Sequence, residues 1–185
     1  MRDEGQPEIT AELLLQAYAA GVFPMAEHAH TDEIFWIDPK TRGIVPLDRL
    51  HVSRSLRKTL RRGRFEVRWD TCFTRTVSAC ADRSETWINA QILDLYNDLY
   101  RGGYGHSVEV VMDGKLAGGL YGVALGGAFF GESMFSVERD ASKIALVYLV
   151  ARLRMGGFTL LDTQFVTDHL LSLDAQEISR SAYHT

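Results

Sequence analysis

The chain has 185 residues, 46% hydrophobic and 24% charged, with 16 Gly, 4 Pro and 2 Cys. That composition excludes disorder, collagen-like repeats and a cystine scaffold, and a chain of this length buries roughly 70% of its unfolded surface without disulfides or metal. The formal net charge of −4, from 20 basic and 24 acidic residues, argues as a total against a nucleic-acid partner.

The first ten residues carry no basic and apolar leader, and no later stretch approaches the ~18 unbroken apolar residues of a membrane span. A soluble cytoplasmic protein without membrane contact is therefore expected. Thr10 to Gly21 reads as a capped helix, followed by the turn Val22-Phe23-Pro24. Residues 25 to 50 lack a clear period and contain Pro39 and Pro46, which predicts loop with short strands. His28 and His30 lie there without a third metal ligand nearby and read as surface residues, with no metal site expected.

Ser53 and Gly63 bracket a short predicted helix on which Arg54, Lys58, Arg61 and Arg62 share one face. From Arg54 to Arg68 seven basic residues accompany one acid, Glu66, so this stretch carries +6 and the remainder −10. Such a face is either a solvated surface or a phosphate-binding patch, and the segment alone supports both. Phe65 to Trp69 alternates as a strand, while Phe73 to Ala81 and Ile88 to Arg101 have helical spacing. Cys72 and Cys80 lack a CxxC spacing and read as reduced thiols.

Beyond residue 105 the pattern turns to β. His106 to Met112, Asp113-Gly114 and Leu116 to Val123 form the strongest hairpin signal in the chain. A second hairpin turns at Gly126-Gly127 and returns through Ala128 to Phe135, a long apolar helix runs from Asp140 to Met155, and Phe158 to Gln164 reads as a strand. Glu132 sits among large apolar neighbours, where burial raises a carboxyl pKa unless the group is paired. Asp162 and Gln164 end a strand, and simple alternation puts both on one face, able to hold an amine. No glycine cluster opens a helix as a dinucleotide or P-loop fingerprint, and Ser133 is not in a Gly-x-Ser-x-Gly elbow.

The blocks Gly21-Val22-Phe23-Pro24, Ser53-Arg54-Ser55, Thr86-Trp87-Ile88, His106-Ser107-Val108-Glu109, Gly131-Glu132-Ser133-Met134-Phe135-Ser136, Ala141-Ser142-Lys143 and Asp162-Thr163-Gln164 occur in this order. With them the chain, from about residue 10 onward, resembles the bacterial leucyl/phenylalanyl-tRNA-protein transferases. The resemblance implies an α+β fold: a GNAT-like acyltransferase C-terminal domain with a mixed β-sheet and flanking helices, at 65–185, after a small N-terminal α/β domain at 1–64, the boundary falling within 64–84. It implies an aminoacyltransferase that moves Leu or Phe, with Met as a further donor, from aminoacyl-tRNA to the α-amino group of N-terminal Arg or Lys, marking proteins for N-degron proteolysis. Neither ATP nor a metal is implied as a cofactor, because the tRNA ester is already activated, and a monomer is expected.

Carried over by position, Asp162 and Gln164 match the pair that positions and activates the attacking amine, and Glu132 matches the acid of the aminoacyl pocket. Trp87 matches a residue lining the site of the terminal adenosine, Met25 stands where many relatives have a Trp packed on that base, and Ser133 belongs to the same pocket block. Leu120 and Phe129 match apolar wall positions, and Arg54, Lys58, Arg61 and Arg62 match a cluster contacting the tRNA body. Three rivals remain: a GNAT-like N-acyltransferase using acyl-CoA, a related transferase with acidic N-terminal acceptors, and a non-catalytic tRNA-binding module.

Overall fold

The computed structural model describes residues 9–26, 31, 33–84 and 86–184. His28 and His30 lie outside them. Thr10 accepts the Leu13 amide to cap α1 (Ala11–Ala19), whose buried residues Leu14 and Tyr18 are one turn apart. Gly21, at φ +77°, turns the chain into an antiparallel pair of β1 (Phe23–Ala26) and β2 (Ile34–Ile37). β3 (Thr41–Ile44) precedes α2 (Arg54–Arg62), whose Ser53 cap and left-handed Gly63 stop stand where the sequence predicts them. Then come β4 (Glu66–Trp69), α3 (Phe73–Ala81), α4 (Ala90–Arg101), β5 (Gly105–Met112), β6 (Lys115–Leu125), β7 (Ala128–Ser136), α5 (Ala141–Met155) and β8 (Leu160–Gln164). Three short elements follow without a sequence counterpart: α6 (Asp168–Leu171), β9 (Gln176–Ser179) and α7 (Arg180–Tyr183).

The main sheet has the order β4-β5-β6-β7-β8-β3-β9. Asp113 and Gly114 both take positive φ, as a two-residue turn joining β5 to β6 demands. All pairings are antiparallel except β7 with β8, and a parallel pair needs a crossover, which α5 supplies. Strand alternation divides the core between the two faces of this mixed sheet. Val108, Val110, Leu120 and Phe129 pack with α5 and with Leu56 of α2, while Tyr121, Val123 and Phe130 pack with residues of α1, α3 and α4. β3 and α2, both preceding residue 64, are thus built into the large layer. Glu109 of β5, fully buried, accepts hydrogen bonds from Ser107, Thr71 and the Cys72 amide, placing an anion at the start of α3, which has no side-chain cap of its own.

Two irregularities place the site. The β7–β8 register runs from Ala128 opposite Leu160 to Phe130 opposite Asp162 and stops. Immediately beyond, Tyr121 faces Ser133 and Gly122 faces Gly131, so Glu132 is the extra residue of a bulge in β7. In β8, Asp162 faces Ile44 and Gln164 faces Gly43, which leaves Thr163 as the extra residue. Gln164 completes this bulge at φ +63°, its amide held by Asp162 Oδ1 at 2.6 Å. The two parallel strands end their pairing at these bulges, and a cleft opens there.

Candidate active site

The cleft has a volume of about 520 Å³. Its apolar wall includes Leu120, Met134, Leu146, Leu149 and Leu161, with Met25, Trp87 and Phe165 also facing it. The polar wall holds Glu132, Ser133, Gln164 and Arg83. Glu132, Gln164, Trp87, Leu120, Met25 and Ser133 are thereby brought together from five separate stretches of chain. Phe129 takes another position: it belongs to the core on the α5 face, its ring edge against Gly122, and it does not line the cleft.

Glu132 is nearly buried and makes three hydrogen bonds. Tyr18 Oη reaches Oε1 at 2.6 Å, while Tyr96 Oη and Gln164 Nε2 reach Oε2 at 2.8 Å each. Burial pushes its carboxyl up to about 7, the hydrogen bonds from Tyr96 and Gln164 work against that rise, and the nearby Asp162 charge adds to it. With Gln164 Nε2 turned to Glu132, the other side of that amide, its carbonyl oxygen, has no partner among the described residues and is an acceptor for an incoming N–H.

Asp162 does not line the cleft. It is fully buried one layer behind Gln164 and takes different partners from it. Arg42 Nε lies 3.1 and 2.9 Å from its two oxygens and Nη2 lies 2.7 Å from Oδ2, while Tyr183 Oη donates to Oδ2 at 2.5 Å. Arg42 also donates to the Gly21 carbonyl at 2.6 Å and stacks between the rings of Phe23 and Tyr183. The carboxylate therefore fixes the Gln164 backbone, and through it the side chain that faces the cleft.

Several residues that support or line the cleft have no sequence signal of chemistry. Tyr18 and Tyr96 read as ordinary members of helical core faces, and Arg42 lies in a stretch without periodicity. Arg83 is held by the Cys80 carbonyl and by Ser133 Oγ at 2.6 Å. Thr163 Oγ1 and His169 Nε2 are buried without a hydrogen-bond partner among the described residues, and burial lowers the His169 pKa, with Lys143 adding to the effect. Cys80 is inert as a nucleophile, since burial pushes its thiol up to about 12. Among the described residues no three His, Cys, Asp or Glu side chains are grouped to hold a metal, and no helix is long and apolar enough to cross a membrane.

The basic helix lies outside the cleft. Arg54, Lys58, Arg61 and Arg62 are exposed, and among the described residues none of them is in an ion pair. α2 packs on α5, and Ser142 in the first turn of α5 lines the cleft.

A mixed sheet that splays at paired bulges, with a helical crossover between the splayed strands, defines a GNAT-like acyltransferase fold. A FemX crystal structure shares it with a TM-score of 0.53 at 11% identity, over 84% of this chain and 60% of that one. Sequence comparison is more specific. Residues 44–185 match the model of the leucyl/phenylalanyl-tRNA protein transferase, and residues 7–40 match that of its N-terminal domain. Curated transferases of this name are 62% identical in Paramagnetospirillum magneticum, over 95% of this chain and 86% of that protein, and 60% identical in Ruegeria sp., over 95% and 83%. The chain belongs to the leucyl/phenylalanyl-tRNA-protein transferase family.

Two stability predictions follow from the buried carboxyls. Asp162→Asn leaves the Arg42 guanidinium buried without its counter-charge and is expected to cost about 3–5 kcal/mol in urea denaturation; a loss no larger than for an exposed Asp would remove the pair from its anchoring role. Glu132 has a folded pKa above its unfolded value, so its neutral form contributes stability below about 4.5 that is lost as pH rises through about 7. Relative to Glu132→Gln, the wild type should lose roughly 3 kcal/mol across that window; parallel pH profiles of the two proteins would contradict this.

Proposed function

We propose that this protein is a cytoplasmic aminoacyltransferase that moves Leu or Phe from aminoacyl-tRNA to the α-amino group of proteins beginning with Arg or Lys, generating an N-degron. The observation that carries this reading is the juxtaposition, at the splayed strands, of an apolar recess lined by Leu120 and Leu161 with the outward acceptor of Gln164. The recess suits an aliphatic or aromatic side chain. Trp87 and Met25 on its rim offer surfaces for the terminal adenosine, a Met covering a base face more adaptably than an aromatic ring.

In the reaction the amine nitrogen forms a bond to the ester carbonyl carbon, the bond from that carbon to the ribose oxygen breaks, and the proton leaving nitrogen ends on the ribose oxygen. The ester supplies the free energy, so the proposal includes no ATP and no metal. A protein α-amino group, with a pKa near 7.7 to 8.0, is about a tenth neutral at pH 7, so complete deprotonation would increase the nucleophile only about tenfold. Orientation supplies more, since aligned reactants reach effective molarities of about 10⁵ or above. Gln164 is assigned to hold the amine, Asp162 to position Gln164 through its backbone amide, and Glu132 to fix the Gln164 amide group. Arg54, Lys58, Arg61 and Arg62 are assigned to tRNA phosphates, and the acidic remainder of the surface to the cationic acceptor. One copy of the chain is proposed to suffice.

Two measurements check this. Purified protein incubated with labelled Leu-, Phe- and Met-tRNA and with peptides beginning with Arg, Lys, Asp or Glu should label the Arg and Lys peptides from Leu- and Phe-tRNA without coenzyme A; labelling of the acidic peptides instead would reassign the acceptor. Reversing the four α2 charges should weaken tRNA binding and flatten its salt dependence, each lost phosphate contact lowering the slope by about 0.7 to 1. An unaltered slope returns α2 to an ordinary solvated surface.

A further inference from the structure

Tyr18 of α1, Tyr96 of α4 and Glu132 of β7 meet at three oxygen contacts. Tyr18 Oη lies 2.6 Å from Glu132 Oε1, Tyr18 Oη lies 2.5 Å from Tyr96 Oη, and Tyr96 Oη lies 2.8 Å from Glu132 Oε2. Each contact needs one proton to be attractive. The two hydroxyls supply two, and both keep them, because burial holds Tyr18 and Tyr96 well above the usual tyrosine range. With Glu132 ionised, both protons point at the carboxylate and the two hydroxyl oxygens confront each other with lone pairs only. A third proton, on Glu132, satisfies every contact. Oε2 already accepts from Gln164 Nε2 and so takes the part of the carbonyl oxygen, leaving the proton on Oε1.

The geometry points to a closed ring of three hydrogen bonds through Tyr18, Tyr96 and a neutral Glu132, in which the two tyrosines are positioning residues that keep the Gln164 amide turned toward the attacking amine. In the ring Glu132 Oε1 donates to Tyr18, Tyr18 to Tyr96, and Tyr96 to Oε2. The surroundings agree. Asp162 on β8 disfavours a second negative charge, its own charge being taken by Arg42 and Tyr183. Tyr121 on β6 is a buried neutral hydroxyl pushed up by burial, and Arg83 is turned to Ser133 rather than to Glu132. Burial pushes the Glu132 carboxyl up to about 7.

The ring answers a specific difficulty. A neutral carboxyl beside an amide can place its proton on the near oxygen, donate to the amide carbonyl and turn the amide around. Tyr18 removes that choice by drawing the proton to Oε1. Gln164 then meets only an acceptor, gives it Nε2, and keeps Oε1 for the substrate amine.

The ring itself rests on oxygen geometry, and its effect on transfer rests on the function proposed above, so the two are tested separately. Infrared spectra of protein carrying ¹³C-carboxyl Glu should contain, under mildly acidic conditions, a neutral-carboxyl band that is absent in Glu132→Gln; a missing band overturns the ring. In Tyr18→Phe, and in Tyr96→Phe should the first fail to fold, the band should titrate at lower pH than in wild type, because ionisation no longer sets two hydroxyls against each other. Two independent donors to a carboxylate give the opposite shift, so an unchanged or higher titration point also overturns the ring. With aminoacyl-tRNA bound, and at a pH below the variant's own titration point where Glu132 is still neutral, Tyr18→Phe should slow single-turnover peptide formation about tenfold with KM for aminoacyl-tRNA unchanged, and an unslowed rate there removes the positioning role. Wild-type protein that transfers nothing refutes the proposed function while leaving the infrared result to stand.

Discussion

The buried pairing of Arg42 with Asp162 is the constraint on which the site depends. A guanidinium inside a protein must find acceptors for its donors, and Arg42 finds them on two elements at once: the carboxylate of β8 and the Gly21 carbonyl at the end of α1. Tyr183 of α7 closes the arrangement from a third side. Such pairs contribute little net stability compared with apolar packing, but they tolerate few alternative arrangements. Here one arrangement fixes the entry to β1, the register of β3 against β8, and the left-handed turn that presents Gln164.

The bulges convert that fixed frame into a binding site. A regular β7 would give Glu132 a cross-strand partner, and a regular β8 would carry Gln164 onward beside β7. With one extra residue in each, the strands part where the parallel register ends, and two polar side chains cross the gap to meet. Gly43 fits this region because a Cβ there would lie 2.7 Å from the Phe165 carbonyl carbon. The net charge of −4 likewise resolves into parts, a cationic helix and an acidic remainder.

Local chemistry made much of this legible from sequence. The Ser53 cap, the Gly63 stop, the Asp113-Gly114 turn and the long α5 are dictated within a few residues, and they appear as expected. Glu132 and Gln164 stood out as polar groups among apolar ones. The bulges were not legible, since an extra residue exists only relative to a partner strand, and alternation therefore could not foretell the separate partners of Asp162 and Gln164. Tyr18 and Tyr96 keep the helical spacing of any core residue, so their hydroxyls gave no sign of their convergence. Arg42 lies in the aperiodic stretch 25 to 50, where no pattern marks a buried position. The final elements α6, β9 and α7 are too short to carry a period.

The contacts that complete the cleft are also distant along the chain. Tyr18 and Glu132 are separated by 114 positions, and Arg42 and Asp162 by 120. Loop-closure entropy makes such contacts late events in folding. On a chain emerging from the ribosome, Arg42 waits for β8 and Tyr183. An elongating copy of this protein thus exposes its basic segment well before it holds its cleft, and the frame behind Gln164 closes only once Tyr183 of α7 has emerged.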